Sequence, residues 1–103
     1  MEKLMKVAFV SPKMQKEFKR NDGTTKLVDY YEVTLTDGID TICGETSEAL
    51  TALMDTTNEA MKVHVKVGYV YQVRLNIRTN TSKKDGSERR FIAATIHQMY
   101  QMV

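Results

Sequence analysis

Apolar and polar residues alternate most clearly between Lys62 and Thr79. The odd-numbered positions from Val63 to Ile77 are all apolar, whereas Val70 is the one apolar residue among the even-numbered positions. A period of two predicts a strand with one face in the core, so Tyr69 and Tyr71 are expected to be buried. Because a straight strand of this length would exceed the size of a small domain, the segment must bend, and Gly68 is suited to a bend or bulge.

Shorter alternations predict two strands and a hairpin upstream. Val7 and Phe9 alternate with Lys6 and Ala8, which predicts a first strand at Lys6 to Val10 with Val7 and Phe9 on one face. Asn21-Asp22-Gly23 predicts the loop that follows it. Next, Tyr31, Val33 and Leu35 share one face of a second strand, which places Tyr30 on the opposite, outward face. Asp37-Gly38 is a strong signal for a two-residue turn, and Ile39 to Cys43 predicts the returning strand.

A helix and a last strand complete the pattern. Apolar residues recur at helical spacing from Ala49 to Met54, and Thr46 or Ser47 can cap the start of this helix. Ser82 to Glu88 predicts a polar loop around Asp85-Gly86, and Phe91 to Met99 predicts the final strand.

The predicted order is therefore three strands, one helix and two strands. Five short strands hide both sheet edges only when they close into a barrel, and a helix between strands 3 and 4 can cover one end. This order predicts an all-β protein with one helix, in the form of a five-stranded OB-fold barrel that occupies residues 1–103 as a single domain.

Composition limits the class of protein. The chain has 103 residues, 42% of them hydrophobic, and a single cysteine, Cys43, which excludes an internal disulfide framework. The sequence contains no apolar run long enough to cross a membrane and no secretory signal pattern, so we expect a cytoplasmic protein without membrane contact. Cys43, between Ile42 and Gly44, is expected to be a small buried residue.

The net charge of +2 conceals three blocks. Residues 1–28 carry a balance of +4, residues 29–59 a balance of −8, and residues 60–103 a balance of +6. Folding either interleaves these blocks into a mixed surface or separates a basic face from an acidic one, and a basic face would suit a polyanion.

The residues from Lys66 onward resemble the bacterial single-stranded DNA-binding protein family. The matching pattern is a lysine and a glycine (Lys66 and Gly68), an alternating strand that ends at Thr79, a glycine-containing loop, and Arg90-Phe91. Lys6 to Val10 and Thr41 to Gly44 resemble the family's first and third strands. In length and in the lack of an acidic tail, the chain is most similar to the primosomal replication protein N of that family.

This resemblance implies an OB-fold that coats single-stranded DNA in replication, repair or mobile-element maintenance. It also implies a homodimer or homotetramer, with replication proteins as further partners. The family stacks bases on tryptophan, which this chain lacks, so other aromatic side chains have to supply the stacking.

Single-strand binding needs cations along the backbone and aromatic faces for the bases, worth about 1–3 kcal/mol per stacked base. Two loops flank the oligonucleotide groove of an OB-fold, and both are basic in this sequence. The predicted nucleic-acid-binding residues are Lys13, Lys16, Phe18, Lys19, Arg20, Lys26 and Tyr30 around the first loop, and Arg74, Arg78, Lys83, Lys84, Arg89, Arg90 and Phe91 around the second. Phe91 also fits a core position.

Catalysis has no supporting pattern. His64 and His97 each stand on a strand without a cysteine or carboxylate at ligand spacing, so we expect no enzyme, no metal site and no cofactor. One alternative from another class stays open: an OB-fold adaptor that binds protein through the acidic segment 29–59 and does not bind nucleic acid.

Overall fold

The computed structural model describes residues 2–84 and 87–102, and within residues 78–93 it describes the backbone alone. Over this part of the chain, seven strands and one helix follow one another. They are β1 (Glu2–Val10), β2 (Met14–Lys19), β3 (Thr25–Tyr30), β4 (Glu32–Thr36), β5 (Thr41–Thr46), α1 (Glu48–Asp55), β6 (Val70–Lys84) and β7 (Ser87–Gln101).

Five of the strands close into a barrel. Their order around it is β1, β4, β5, β7, β6, and β6 pairs back onto β1. Neighbours are antiparallel except β5 and β7, which are parallel. Closure satisfies the strand edges that five short strands would otherwise expose. The mostly-β class with one helix is confirmed, and the closed barrel is consistent with an OB-like architecture.

The helix follows the third barrel strand, as expected, but five strands precede it in the chain. The two additional strands, β2 and β3, form a separate two-stranded sheet. They occupy the region between the first and second barrel strands, where the sequence analysis predicted a loop. The loop tip expected at Asn21-Asp22-Gly23 is present, as the turn of this hairpin, and Gly23 adopts a positive φ of 86°.

The core lies inside the barrel and is formed by the alternating residues of its strands. Met5 and Val7 point inward from β1, and Val33 and Leu35 from β4, as the pattern of β4 predicts. The remaining residues of the buried cluster are Leu50, Tyr71, Val73, Leu75, Ile96 and Met99. Leu50 belongs to α1, so the helix contributes an apolar side chain to the core of the barrel.

The strand predicted from Lys62 onward begins only at Val70. Residues 62–66 have no regular secondary structure, and the chain turns at Gly68 with a φ of 92°. Tyr71 is fully buried, whereas Tyr69 precedes the strand and is exposed, so the expectation that both tyrosines belong to the core is wrong for Tyr69. Val63 and Val65 pack against the core although they lie outside any strand.

The last two strands extend further toward each other than the sequence pattern indicates. Each has 15 residues, and the pairing continues to Lys84 and Ser87, so most of the loop predicted at Ser82 to Glu88 is strand. The predicted loop centre, Asp85-Gly86, lies outside the described residues. The described pairings of β5 with β7 involve Ala94 to Ile96, and those of β1 with β6 reach Arg74. Residues 78–84 and 87–93 therefore form a two-stranded ribbon beyond the barrel.

The helix is short and capped at its start. Ser47 is the N-cap, and its hydroxyl accepts a hydrogen bond from the amide of Leu50. Such a cap satisfies one of the free amides of the first turn. Among the described residues, no helix has the length and apolar character needed to cross a bilayer.

Candidate nucleic-acid interface

The β2–β3 hairpin presents one face to the barrel. Its register places Met14 opposite Tyr30, Lys16 opposite Val28, and Phe18 opposite Lys26. Because alternate residues of a strand share a face, these six side chains lie on the same side of the hairpin. The sequence pattern predicts a loop for several of these residues, and a loop would give them no common face.

A groove separates this face from the barrel. Its volume is about 390 Å³. The hairpin contributes Lys16, Phe18, Val28 and Tyr30, and the opposite wall consists of Glu45, Thr46, Ser47, Glu48 and Thr95. Residues from β5, the start of α1 and β7 therefore face the hairpin. The structure brings together three of the predicted site residues, Lys16, Phe18 and Tyr30.

The two aromatic residues of the groove differ in accessibility. Phe18 is 58% exposed and offers its ring to solvent, as base stacking requires. Tyr30 is only 9% exposed, and the ammonium group of Lys16 lies 5.0 Å from its ring centroid. The expectation of an outward Tyr30 is wrong because the chain leaves the strand at Tyr31, whose amide donates to the hydroxyl of Thr46, 2.9 Å away.

Three lysines of the hairpin region form ion pairs with the acidic segment. Lys13 lies 2.9 Å from Asp55 and 3.7 Å from Asp29. Lys26 lies 3.3 Å from Glu48, and Lys16 contacts Glu45. The basic and acidic blocks of the sequence are thus interleaved here. These pairs hold the hairpin against α1 and β5.

Asp55 also accepts a hydrogen bond from the hydroxyl of Tyr31, at 2.7 Å. That bond, together with the contact from Lys13, lowers the pKa of the Asp55 carboxyl. The hydrogen bond to Asp55, followed by burial, raises the pKa of the Tyr31 hydroxyl. Asp55 therefore remains a carboxylate and anchors the base of the hairpin at the end of α1.

The other predicted cations of the described region lie away from the groove walls. Lys19 and Arg20 are exposed at the tip of the hairpin, beside the turn that Asp22 stabilises through bonds to the amide and hydroxyl of Thr24. Arg74 lies on β6, with its Nε 3.9 Å from Glu2 on the neighbouring β1. Arg74 is therefore separate from the cluster around the hairpin.

Six predicted residues belong to the segment in which the backbone alone is described. Their side chains lie outside the described part of the structure, and their backbone forms the ribbon: Arg78, Lys83, Lys84, Arg89, Arg90 and Phe91. The ribbon continues directly from Thr95 of the groove wall along β7.

Two residues on the barrel are exposed although the sequence pattern predicts that they face inward. A register shift between Val7 and Phe9 turns Phe9 outward, opposite Thr34 of β4, and leaves it 56% exposed. Cys43 is exposed rather than buried, because it lies opposite Thr34 on the outer face of β5. No turn residue in the first strand signals the shift at Phe9, so alternation alone assigned it to the wrong face.

Within the described residues, no three histidine, cysteine, aspartate or glutamate side chains are grouped so that they could hold a metal ion. His64 lies 3.5 Å from Glu59 in an exposed pair.

No protein-family model, curated protein or solved structure matches this chain.

Proposed function

We propose that this protein is a non-enzymatic OB-fold that binds single-stranded DNA in the groove between the β2–β3 hairpin and the barrel. The strand order around the barrel and the helix between its third and fourth strands support the OB assignment. In that fold, the loops after the first and fourth barrel strands flank the oligonucleotide site. Here these two connections are the hairpin and the ribbon.

The groove itself carries the proposal. It combines the cation of Lys16 with the exposed ring of Phe18 on one wall, and Thr95 lies on the opposite wall. Cations that follow a phosphate backbone and rings that stack bases are the two requirements for sequence-tolerant single-strand binding.

The ribbon extends the same wall. Its sequence from 78 to 93 contains five basic residues, Arg78, Lys83, Lys84, Arg89 and Arg90, and two acidic ones. A strand that leaves the groove past Thr95 would run along this basic segment.

The ion pairs of the hairpin are compatible with phosphate binding. Exposed lysine–carboxylate pairs contribute at most about 1 kcal/mol each, so a phosphate can replace the carboxylate. In this proposal the protein acts in replication, repair or mobile-element maintenance.

Titration of a labelled oligo-dT at two salt concentrations tests the proposal, with RNA and duplex DNA in parallel. We expect binding at low salt, with a log–log slope of about −0.7 per phosphate contact, and a preference for single strands over duplex. Phe18→Ala should weaken binding about 5- to 150-fold, the range of one lost stacking contact. Lys66→Gln, which removes an exposed lysine of the turn before β6, is the matched control and should change affinity little.

Absence of binding at low salt, or a salt slope of zero, would overturn the proposal. Capture of a protein partner from nuclease-treated lysate by a chain that ignores oligonucleotides would favour the adaptor instead.

A further inference from the structure

Phe9 and Lys6 place a second aromatic ring and a second cation on the outer face of β1, outside the groove. Met5 and Val7 of β1 point into the core, so Lys6 between them points outward. The register shift after Val7 turns Phe9 to the same outer face. Apart from the bulged Ala8, they are consecutive outward positions on one strand.

Lys6 differs from the lysines of the hairpin. Lys13, Lys16 and Lys26 each contact a carboxylate, whereas no ion pair of Lys6 is found among the described residues. Its neighbours across the sheet are Thr36 of β4 and Val70 of β6. Asp37 lines the same cavity as Lys6 but contacts Lys3, so the Lys6 ammonium is available to an anion from outside the chain.

Short side chains lie beside Phe9 in the direction of β5. Phe9 lies opposite Thr34, and Thr34 lies opposite Cys43 of β5. Two strand spacings of about 4.8 Å separate Phe9 from Cys43, a distance comparable to one or two nucleotides of an extended strand. The next outward residue of β5 is Glu45, which contacts Lys16 in the groove.

We infer that Phe9 and Lys6 form a nucleotide subsite on the outer face of the barrel, with a base stacked on Phe9 and its phosphate on Lys6, and that the bound strand passes Cys43 into the groove. This inference rests on the proposed function and names the path of the same ligand. The subsite adds a stacking position on the barrel to the aromatic residues of the two loops.

Tryptophan fluorescence tests the subsite directly, because the chain contains no tryptophan. Phe9→Trp introduces a single reporter at the subsite. Tyr100→Trp introduces one at an equally exposed position (Tyr100 is 59% exposed) on the outer face of β7, which is separated from β1 by β6. With saturating unlabelled oligo-dT of about 16 nucleotides, the upper range for one OB-fold, we expect strong quenching of the first variant and none of the second.

The thiol of Cys43 gives an independent test in the unsubstituted protein. It is the only cysteine and is exposed, so its alkylation rate by iodoacetamide can be measured with and without the oligonucleotide. We expect the oligonucleotide to slow alkylation. Phe9→Ala should weaken binding about 5- to 150-fold, whereas Tyr100→Ala should leave it unchanged.

The outcomes separate this inference from the proposed function. If the oligonucleotide binds but the Phe9→Trp emission and the Cys43 alkylation rate stay unchanged, the subsite is wrong and the groove proposal stands. Equal quenching at both tryptophan positions also overturns the subsite. If no oligonucleotide binds at low salt, both proposals fall. Should Phe9→Trp fail to fold, the alkylation rate of the unsubstituted chain decides.

Discussion

A Cβ atom on Gly44 would lie 2.9 Å from Cγ1 of Ile96 and 3.1 Å from its Cδ1. Gly44 is on β5, where it pairs with Ala94 of β7, and Ile96 is a fully buried core residue. The parallel pairing of β5 and β7 closes the barrel at this point. The absence of a side chain at position 44 therefore lets the two strands approach over a filled core.

Gly44→Ala should destabilise the protein by about 1–3 kcal/mol, the usual cost of forcing extra volume into a packed core. Urea unfolding followed by circular dichroism measures this change. Ile96→Ala removes both Cγ1 and Cδ1, so the double variant should be less destabilised than the two single effects added together. Strict additivity would show that the Gly44–Ile96 contact does not limit packing.

The hydroxyl of Tyr71 holds the irregular segment before β6. It accepts a hydrogen bond from the amide of Lys66 and donates one to the carbonyl of His64, both at 2.8 Å. Tyr71→Phe leaves these partly buried backbone groups without their partner, which should cost about 1–3 kcal/mol. Tyr100→Phe, at an exposed position on β7, is the control and should leave the free energy of unfolding unchanged. An equal effect of both changes would contradict this role.

The sequence predicted those parts of the fold that depend on uninterrupted alternation. Val33, Leu35, Tyr71 and Val73 are buried as their strands' patterns require, and Ser47, one of two expected caps, begins the helix. Alternation predicts the wrong face for a residue that follows a register shift in the backbone. The register shift before Phe9 has this effect, and no residue type specific to bulges marks it.

The candidate site was predictable in residue type but less so in geometry. Lys16 and Phe18 do share a groove, because the basic run forms a regular hairpin. Tyr30 does not point outward, because the chain bends at Tyr31. This bend depends on the hydrogen bond from the Tyr31 amide to Thr46 of another strand. The partners of the lysines are tertiary as well: the ion pair of Lys16 joins residues 29 positions apart. A contact between residues this far apart leaves no pattern in the sequence around either residue.

Asp37 gives the protein a specific response to acid. Its carboxylate contacts Lys3 and accepts hydrogen bonds from the amides of Ile39 and Asp40, at 2.9 and 2.7 Å. The bond from Lys3, followed by those backbone bonds, holds the pKa of Asp37 well below its usual range. A lowered pKa in the folded state stabilises the fold above the unfolded value of about 3.9, and this contribution is lost as the pH falls toward the folded value.

Asp37→Asn should therefore be less stable than the unsubstituted protein at neutral pH, and the difference should shrink below about pH 4. Lys3→Gln should shift the loss of stability to higher pH, because it removes the main cause of the lowered pKa. Urea unfolding at a series of pH values measures both. A difference between Asp37→Asn and the unsubstituted protein that does not vary with pH would contradict this assignment.

The resemblance to single-stranded DNA-binding proteins implies a dimer or tetramer, so we predict a mass in solution above that of one chain. Light scattering coupled to size exclusion should give at least twice the 11.8 kDa of the single chain. A mass near 11.8 kDa across the accessible concentration range would show that the protein is a monomer.

Glu45 is predicted to restrain oligonucleotide binding, because it pairs with Lys16 inside the groove. Glu45→Gln frees that lysine and removes a carboxylate that repels phosphate, so the affinity for oligo-dT should increase. Since an exposed ion pair is worth at most about 1 kcal/mol, the gain should be up to about fivefold.

Two further variants separate the release of Lys16 from a general loss of negative charge. Glu59→Gln, exposed beside His64, changes the net charge equally and should leave the affinity nearly unchanged. In a Lys16→Gln background, the gain from Glu45→Gln should be smaller, because no cation remains to be released. If Glu45→Gln weakened binding, Glu45 would be supporting the ligand-binding conformation of the hairpin, and the exchange of carboxylate for phosphate at Lys16 would be wrong.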